Sequence, residues 1–137
     1  MEKYLGKKYK LRSSHNFDEY LKFIEVGLLS RKLVTSLSPI SVLTKNEDGS
    51  YSLTMITPIR KVVITFQLGV EFSEDRPDGI KVKSTMHLDG DKLIQTQIES
   101  NGRKSTHVRE FTDKLLTVTT TAEGWDGQCI RIYELVE

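Results

Sequence analysis

Near its C-terminus the chain reads Gln128-Cys129-Ile130-Arg131-Ile132-Tyr133-Glu134-Leu135-Val136. In a β-strand, alternate side chains point to opposite faces of the sheet. One face of this predicted strand carries a thiol, a guanidinium, a phenol and a leucine, from Cys129, Arg131, Tyr133 and Leu135. A buried guanidinium is costly without an anion. The stretch therefore predicts either a strand that faces a cavity holding an anionic ligand, or an edge strand whose arginine lies in water.

A second arginine occupies a similar position upstream, in Thr106-His107-Val108-Arg109-Glu110-Phe111. If the last three strands form a meander, Arg109 and Arg131 lie on strands separated by one strand, and matched registers place them roughly 10 Å apart. Two arginines and a phenol at that separation can share one carboxylate, directly and through a water molecule. The sequence leaves this register open.

Turn signals recur roughly every ten residues from Ile40 onward, as in Glu47-Asp48-Gly49, Pro77-Asp78-Gly79, Asp89-Gly90-Asp91 and Asn101-Gly102. Short strands at such spacing predict an antiparallel meander that closes on itself. About ten strands, counted from the stretch at Tyr9, enclose more space than their own side chains fill. Gln95 and Gln97 share a strand face, which favours a partly polar interior. The pattern predicts a mainly β, ten-stranded barrel with a ligand cavity.

Two short helices are predicted between the first two strands. Asn16 is the expected N-cap of a helix that begins at Phe17, and a second helix runs from about Leu28 to Leu37. Helices this short need a larger structure to pack on. Pro58 is predicted to cause a bulge or bend inside a strand over residues 54–59, and Trp125 is read as an exposed turn residue.

Composition predicts a single domain, residues 1–137, that is a cytoplasmic monomer. Twenty basic and nineteen acidic residues leave no charge excess for nucleic acid, and one cysteine excludes an internal disulfide framework. No secretory signal or membrane-length apolar run is visible. The three histidines are scattered, and there is no phosphate loop or nucleophile elbow, so no catalytic residue, metal site or cofactor is predicted.

Motifs spread over the whole chain resemble those of the intracellular fatty acid-binding proteins. They occur in family order as Asn16-Phe17-Asp18-Glu19-Tyr20, Phe66-Gln67-Leu68-Gly69-Val70-Glu71-Phe72, Asp78-Gly79-Ile80-Lys81-Val82-Lys83-Ser84, Val108-Arg109-Glu110-Phe111 and Arg131-Ile132-Tyr133. The resemblance implies an up-and-down β-barrel, or β-clam, closed by a two-helix lid. It further implies non-covalent binding and intracellular transport of one long-chain fatty acid.

The resemblance also implies roles for particular residues. Arg109, Arg131 and Tyr133 match the carboxylate-binding triad of the family. The acyl chain and its portal correspond to Phe17 and Tyr20 on the lid and to Ile59 and Asp78 on the portal loops. The 66–72 stretch matches the gap that the family leaves between two neighbouring strands. Pro58 and Val63 depart from the usual portal sequence.

Two alternatives remain open within this resemblance. The same triad serves retinoate, so a retinoid or another hydrophobic anion is a second candidate ligand. Lys22, Arg31 and Lys32 could form a basic face of the lid that contacts anionic membranes or a carrier protein for nuclear entry, although three basic residues on short helices also describe an ordinary solvated surface.

Overall fold

The computed structural model describes residues 1–136 and contains ten strands and two α-helices, preceded by a short 3₁₀ helix at Glu2–Tyr4. The helices are α1 (Phe17–Phe23) and α2 (Leu28–Thr35). The strands are β1 (Tyr9–His15), β2 (Ile40–Lys45), β3 (Tyr51–Thr57), β4 (Arg60–Phe66), β5 (Phe72–Asp75), β6 (Lys81–Asp89), β7 (Lys92–Ile98), β8 (Lys104–Phe111), β9 (Leu115–Ala122) and β10 (Cys129–Leu135).

All ten strands form one antiparallel sheet in the order β4-β3-β2-β1-β10-β9-β8-β7-β6-β5. Every hydrogen-bonded neighbour is a chain neighbour, except that β1 pairs with β10 and so brings the two ends of the chain together. β4 and β5 lie at the two ends of this order and are joined by a turn through Gly69, whose φ of +76° suits a glycine. The barrel is therefore nearly closed, as predicted, and its gap lies at the predicted 66–72 stretch.

Two clusters of buried side chains fill the barrel at different levels. The first surrounds Phe111, whose ring centroid lies 5.8 Å from that of Tyr4 and 5.7 Å from that of Tyr9. The second joins α1 to the sheet at Cys129. Since β10 runs from Cys129 in the second cluster to Tyr133 in the first, Arg131, which lies between them on the same strand face, points into the space that separates the clusters.

The two helices, α1 and α2, form a lid between β1 and β2, as predicted. Asn16 is the N-cap of α1, but it adopts a left-handed conformation and its side-chain amide donates to the carbonyl of Gln128. The two lid helices differ in burial, because Tyr20 and Leu21 of α1 are buried whereas no residue of α2 is. α2 ends at Thr35, two residues before the predicted end. No helix among the described residues is both long enough and apolar enough to cross a membrane.

Two local predictions were wrong. Pro58 does not bulge a strand: β3 ends at Thr57, and Pro58 and Ile59 form the tight turn that pairs Thr57 with Arg60. A turn accepts proline readily because the ring sets φ and no ladder hydrogen bond is lost. Trp125 is not an exposed turn residue, since its ring packs against the lid with centroids 5.7 Å from Tyr20 and 6.1 Å from Phe23.

Candidate functional site: an internal cavity with two arginines

A cavity of about 160 Å³ lies inside the barrel, beneath α1. Its walls come from the lid and from strands on both sides of the barrel: Phe17, Tyr20, Ser41, Met55, His107, Arg109, Val118, Thr120, Cys129, Arg131 and Tyr133. Five of the seven residues predicted from the sequence are therefore brought together here. The other two, Ile59 and Asp78, lie on turns outside the cavity wall.

Arg109 and Arg131 are held at the same level of the barrel by β9. Arg109 pairs with Val118 on one side of that strand, and Arg131 pairs with the same Val118 on the other side. Their α-carbons are consequently separated by two strand spacings, roughly 10 Å. We call Arg109, Val118 and Arg131 the arginine row. The sequence did not determine whether the strands carrying Arg109 and Arg131 have matched registers, and the structure shows that they do.

Arg131 is clamped by the lid and by β1. Its Nε donates a hydrogen bond of 2.8 Å to the Ser14 hydroxyl, and its guanidinium carbon lies 3.9 Å from the centre of the Phe17 ring. The Tyr133 ring is further away, with its centre at 5.9 Å. Such a cation–π contact orients a guanidinium without neutralising it. Within the described part of the chain, no hydrogen bond engages the two terminal nitrogens of Arg131, which are the pair that a carboxylate binds.

Arg109 lies deeper, and the side-chain amide of Gln95 links it to the nearest anion, Glu74. Its Nη1 donates to the Gln95 side-chain oxygen at 2.8 Å, and the Gln95 nitrogen donates to Glu74 at 2.7 Å. The same Glu74 oxygen also accepts from Ser84 and Gln97. Burial lowers the pKa of the Arg109 guanidinium, an effect that Glu74 and Tyr133 oppose. An arginine remains charged under these conditions, so Arg109 is a buried cation, and Glu74, the nearby acid among residues 1–136, is already shared among three donors.

The cavity wall therefore carries an excess of positive charge. Arg109 and Arg131 are both cations, and none of the residues that line the cavity is acidic. Two cations without an acid in a low-dielectric space repel each other, and an anion bound between them removes that cost. Chemically, this arrangement suits one carboxylate with an apolar remainder.

A second row lies two residues from the arginine row, on the side of the lid. Thr120 pairs with His107 on β8 and with Cys129 on β10, and we call these three the histidine row. His107 bonds Thr120 at 2.7 Å through Nδ1 and Gln97 at 2.6 Å through Nε2. Burial, and secondarily the charge of Arg109, lower the pKa of His107 to about 3. The imidazole is thus neutral. The sequence predicts no role for His107, although its position two residues from Arg109 places both side chains on one strand face.

Cys129 and Tyr20 close the cavity towards the lid. Burial raises the pKa of the Cys129 thiol to about 11, so it is a thiol and not a nucleophilic thiolate at neutral pH. Tyr20 donates a hydrogen bond of 2.9 Å to the Ser105 hydroxyl, and burial raises the pKa of its phenol. Both groups are neutral parts of the wall.

Ile59 and Asp78 occupy the two turns that the sequence assigned to the portal. Ile59 is 70% exposed at the tip of the β3–β4 turn. Asp78 lies on the β5–β6 turn, where hydrogen bonds from Arg76 lower the pKa of its carboxyl. Arg76 is itself buried and also bonds Glu99 on the β7–β8 turn. Asp78 is therefore part of a buried ion-pair network.

This network continues from the turns to the lid. Glu99 binds Arg103 as well as Arg76, with a shortest distance of 2.7 Å to the Arg103 Nε. Arg103 then donates to the carbonyl of Phe23 at 2.8 Å and to the carboxylate of Glu25 at 3.1 Å. We call Arg76, Asp78, Glu99 and Arg103 the turn network. It ties the C-terminal end of α1 to two turns of the barrel.

Comparison with known proteins gives consistent matches over nearly the whole chain. A model described as the lipocalin / cytosolic fatty-acid binding protein family matches residues 5–134. The fatty acid-binding protein of Tyrophagus putrescentiae is 38% identical over 120 residues, which cover 88% of this chain and 90% of that protein.

Solved structures agree with this match. The fatty acid-binding protein from Drosophila melanogaster brain tissue is 46% identical, with a TM-score of 0.86 over 96% of this chain and 98% of that one. A Schistosoma mansoni fatty acid binding protein, in complex with arachidonic acid, is 30% identical with a TM-score of 0.90, over 100% of this chain and 98% of that one.

Proposed function

Because the chain belongs to the lipocalin / cytosolic fatty-acid binding protein family, we propose that it binds a long-chain fatty acid non-covalently in its internal cavity and carries it through the cytoplasm. The carboxylate is held by Arg109, Arg131 and Tyr133. The whole chain, residues 1–137, acts as one binding domain and as a monomer. It takes no nucleic acid as partner and catalyses no reaction on the ligand.

One observation carries the head-group assignment: two arginines flank the same residue of β9 and face a cavity whose wall contains no acid. A carboxylate between them can bond the free terminal nitrogens of Arg131 directly and reach Arg109 directly or through a water molecule. The phenol of Tyr133, on the same face as Arg131, adds a third donor. Each charged hydrogen bond contributes roughly 1.5–3 kcal/mol.

The acyl chain supplies most of the affinity. Burying about 15 methylenes is worth on the order of 12 kcal/mol before the cost of immobilising the ligand, which is several kcal/mol. Phe17 and Tyr20 are placed to contact the chain, since both belong to α1 and line the cavity. Ile59, exposed on the β3–β4 turn, and Asp78, fixed in the turn network, belong to the portal through which the chain passes.

Comparing a fatty acid with its methyl ester tests the head-group assignment. Arg131→Ala should weaken binding of the acid at least tenfold more than binding of the ester, measured by isothermal titration calorimetry, because the ester carries no charge. Arg12→Ala is the matched control, since Arg12 lies exposed and pairs with Glu134 outside the cavity. Equal losses for acid and ester would exclude Arg131 as a carboxylate ligand.

Another hydrophobic carboxylate, such as a retinoate, fits the same head-group chemistry. Competition between a fluorescent fatty acid and retinoate separates the two ligand classes. We expect the fatty acid to bind more tightly, because a flexible chain adapts to a narrow cavity better than a rigid ring does. Tighter binding of retinoate would reassign the ligand class while leaving the carboxylate site in place.

The lid contacts anionic membranes through α2 in this proposal. α2 buries none of its residues, and Leu29 is 83% exposed, beside the half-exposed Leu28 and Leu33. Of the three basic residues predicted to form the basic face, Lys22 and Arg31 pair with acids of α1. Lys32 remains exposed, so the contact combines the exposed leucines of α2 with the positive charge of Lys32. Faster ligand transfer to vesicles with more anionic lipid, reduced by Leu29→Gln, would support the contact. Transfer that is independent of both would contradict it.

A further inference from the structure

Glu74 is an acid held close behind the cavity wall without being part of it. It belongs to β5, which borders the gap in the barrel, and it does not line the cavity. Its Oε1 accepts hydrogen bonds from Ser84 and Gln95 at 2.7 Å and from Gln97 at 3.0 Å. Ser84 and Gln95 are fully buried. Because hydrogen bonds to a carboxylate are strong, the negative charge of Glu74 is held at a defined position inside the barrel.

The two glutamines connect Glu74 to the residues of β8 that line the cavity. A carboxylate only accepts hydrogen bonds, so both glutamine nitrogens point towards Glu74 and both oxygens point towards β8. The Gln95 oxygen accepts from Arg109 Nη1 at 2.8 Å, and the Gln97 oxygen lies 2.6 Å from His107 Nε2. One amide and two hydrogen bonds therefore separate Glu74 Oε1 from Arg109 Nη1, a distance of at most roughly 8 Å.

The charges of Glu74 and Arg109 interact across this amide. Burial lowers the pKa of Arg109, and Glu74 opposes that change. At a separation of roughly 8 Å and an effective dielectric constant of about 20, one unit charge changes the free energy of another enough to alter an equilibrium by tenfold or more. A carboxylate bound beside Arg109 is subject to repulsion from Glu74 of a similar order.

The groups around the cavity carry one positive charge in excess within residues 1–136. The arginine row supplies two positive charges, and Glu74 supplies one negative charge. Burial lowers the pKa of His107 to about 3 and raises the pKa of the Cys129 thiol to about 11, so both side chains are neutral. The turn network pairs two arginines with two acids and adds no net charge. A ligand with one negative charge therefore neutralises the interior.

A head group with two negative charges would not be neutralised. It would leave one negative charge without a partner in a low-dielectric space, which is costly. Without Glu74 the excess would be two positive charges, and a dianion would then match it. The identity of residue 74 consequently decides which charge the site prefers.

We propose that Glu74 is an internal counter-charge that limits the site to head groups with one negative charge and weakens its hold on the carboxylate. This inference rests on the proposed fatty-acid function and narrows its ligand class to monoanions. Long-chain phosphate monoesters are excluded as preferred ligands, although two arginines alone would suit them. The same repulsion assists release of the ligand, which a carrier requires.

Two ligands with one chain length test the charge limit on the wild-type protein. Dodecyl sulfate and dodecyl phosphate both carry a tetrahedral head group, but at pH 8 the sulfate has one negative charge whereas the phosphate, whose second pKa is about 6, has two. In isothermal titration calorimetry at micromolar ligand, the sulfate should bind about tenfold more tightly. Equal binding, or tighter binding of the phosphate, would overturn the inference. This comparison needs no variant, so it holds even if substitutions at Glu74 impair folding.

Glu74→Gln removes the charge while its amide oxygen can still accept the three hydrogen bonds. We expect this variant to bind hexadecanoate about tenfold more tightly, to bind methyl hexadecanoate as the wild type does, and to lose the preference for dodecyl sulfate over dodecyl phosphate. Urea unfolding checks that the variant is folded. A merely structural role of Glu74 would change the affinities for acid and ester alike.

Glu71→Gln is the matched control, because Glu71 is 56% exposed and pairs with Lys83 outside the barrel. It should leave the ratio of acid to ester affinity unchanged. An unchanged ratio in Glu74→Gln, or an equal rise in Glu71→Gln, would contradict the role of Glu74 while leaving fatty-acid binding intact. Failure of hexadecanoate to bind the wild-type protein would instead overturn the proposed function.

Discussion

Arg109 and Arg131 are the two cross-strand partners of a single residue, Val118. The sheet therefore presents two cations at one level of the barrel with an apolar side chain between them. Their α-carbons lie roughly 10 Å apart, so one carboxylate and a bridging water molecule can contact both guanidinium groups. A relationship of this kind predicts that the arginines act on a ligand together.

Replacing both arginines tests this cooperation. Arg109→Met and Arg131→Met should each weaken fatty-acid binding by about 1.5–3 kcal/mol, and the double variant should lose less than the sum because both lose the same carboxylate. Calorimetry on the four proteins of this cycle measures the coupling. Strictly additive losses would indicate that the two arginines contact different parts of the ligand. Urea unfolding of each variant confirms that the protein remains folded.

The strand faces could be read from the sequence because a strand has a period of two. Alternation alone placed Arg131 with Cys129 and Tyr133, and the structure buries Cys129 and Tyr133 on that face. The register between β8 and β10 could not be predicted from the sequence, because it depends on the number of residues in each of the two intervening turns. A shift of one residue would have turned one arginine outwards.

The turn network and the position of Trp125 had no sequence signal. Arg76 and Arg103 meet at Glu99 because two turns that are distant in sequence, β5–β6 and β7–β8, converge in space. Trp125 follows a turn signal, and turn residues are usually exposed, but here α1 lies over it. Contacts of this kind form only in the assembled barrel. The local sequence pattern therefore predicted the wrong exposure for Trp125 and gave no prediction of the turn network.

Glu99 should be critical to stability because it is the shared anion of two arginines, one buried and the other mostly buried. The side chains of Arg76 and Arg103 are only 6% and 16% exposed. Glu99→Gln removes their common counter-charge and should lower the free energy of unfolding by on the order of 3 kcal/mol, measured by urea denaturation. Glu25→Gln is the control, since Glu25 also pairs with Arg103 but is 78% exposed. Glu25→Gln should lower the free energy of unfolding by less than about 1 kcal/mol. If both variants lost the same amount, burial would not explain the importance of Glu99.

Trp125 should report ligand binding by fluorescence. It is the only tryptophan, and its ring touches Tyr20, which lines the cavity. A ligand that contacts Tyr20 alters the packing and hydration around the indole, so its emission should change and saturate at one equivalent of fatty acid. Trp125→Phe should abolish the signal while calorimetry still detects binding. Unchanged emission during binding that calorimetry detects would place the ligand away from α1.

His107 should make the fold sensitive to mild acid. Its pKa is about 3 in the folded protein, because the imidazole is buried near Arg109, against about 6.5 in an unfolded chain. Between these values the unfolded state binds a proton that the folded state does not, so stability falls as pH decreases below about 6.5. From pH 7 to pH 5 this amounts to a loss of up to about 2 kcal/mol in the free energy of unfolding.

Urea unfolding at pH 7 and pH 5 measures this loss, and substitution of His107 assigns it. His107→Gln can still bond Thr120 and Gln97 but does not titrate, so the difference between the two pH values should shrink by most of that amount. His87→Gln is the matched control, because His87 is exposed on β6 and its replacement should leave the difference as in the wild type. If His107→Gln kept the full pH dependence, the acid sensitivity would belong to other groups, and the neutral histidine in the cavity wall would lose its support.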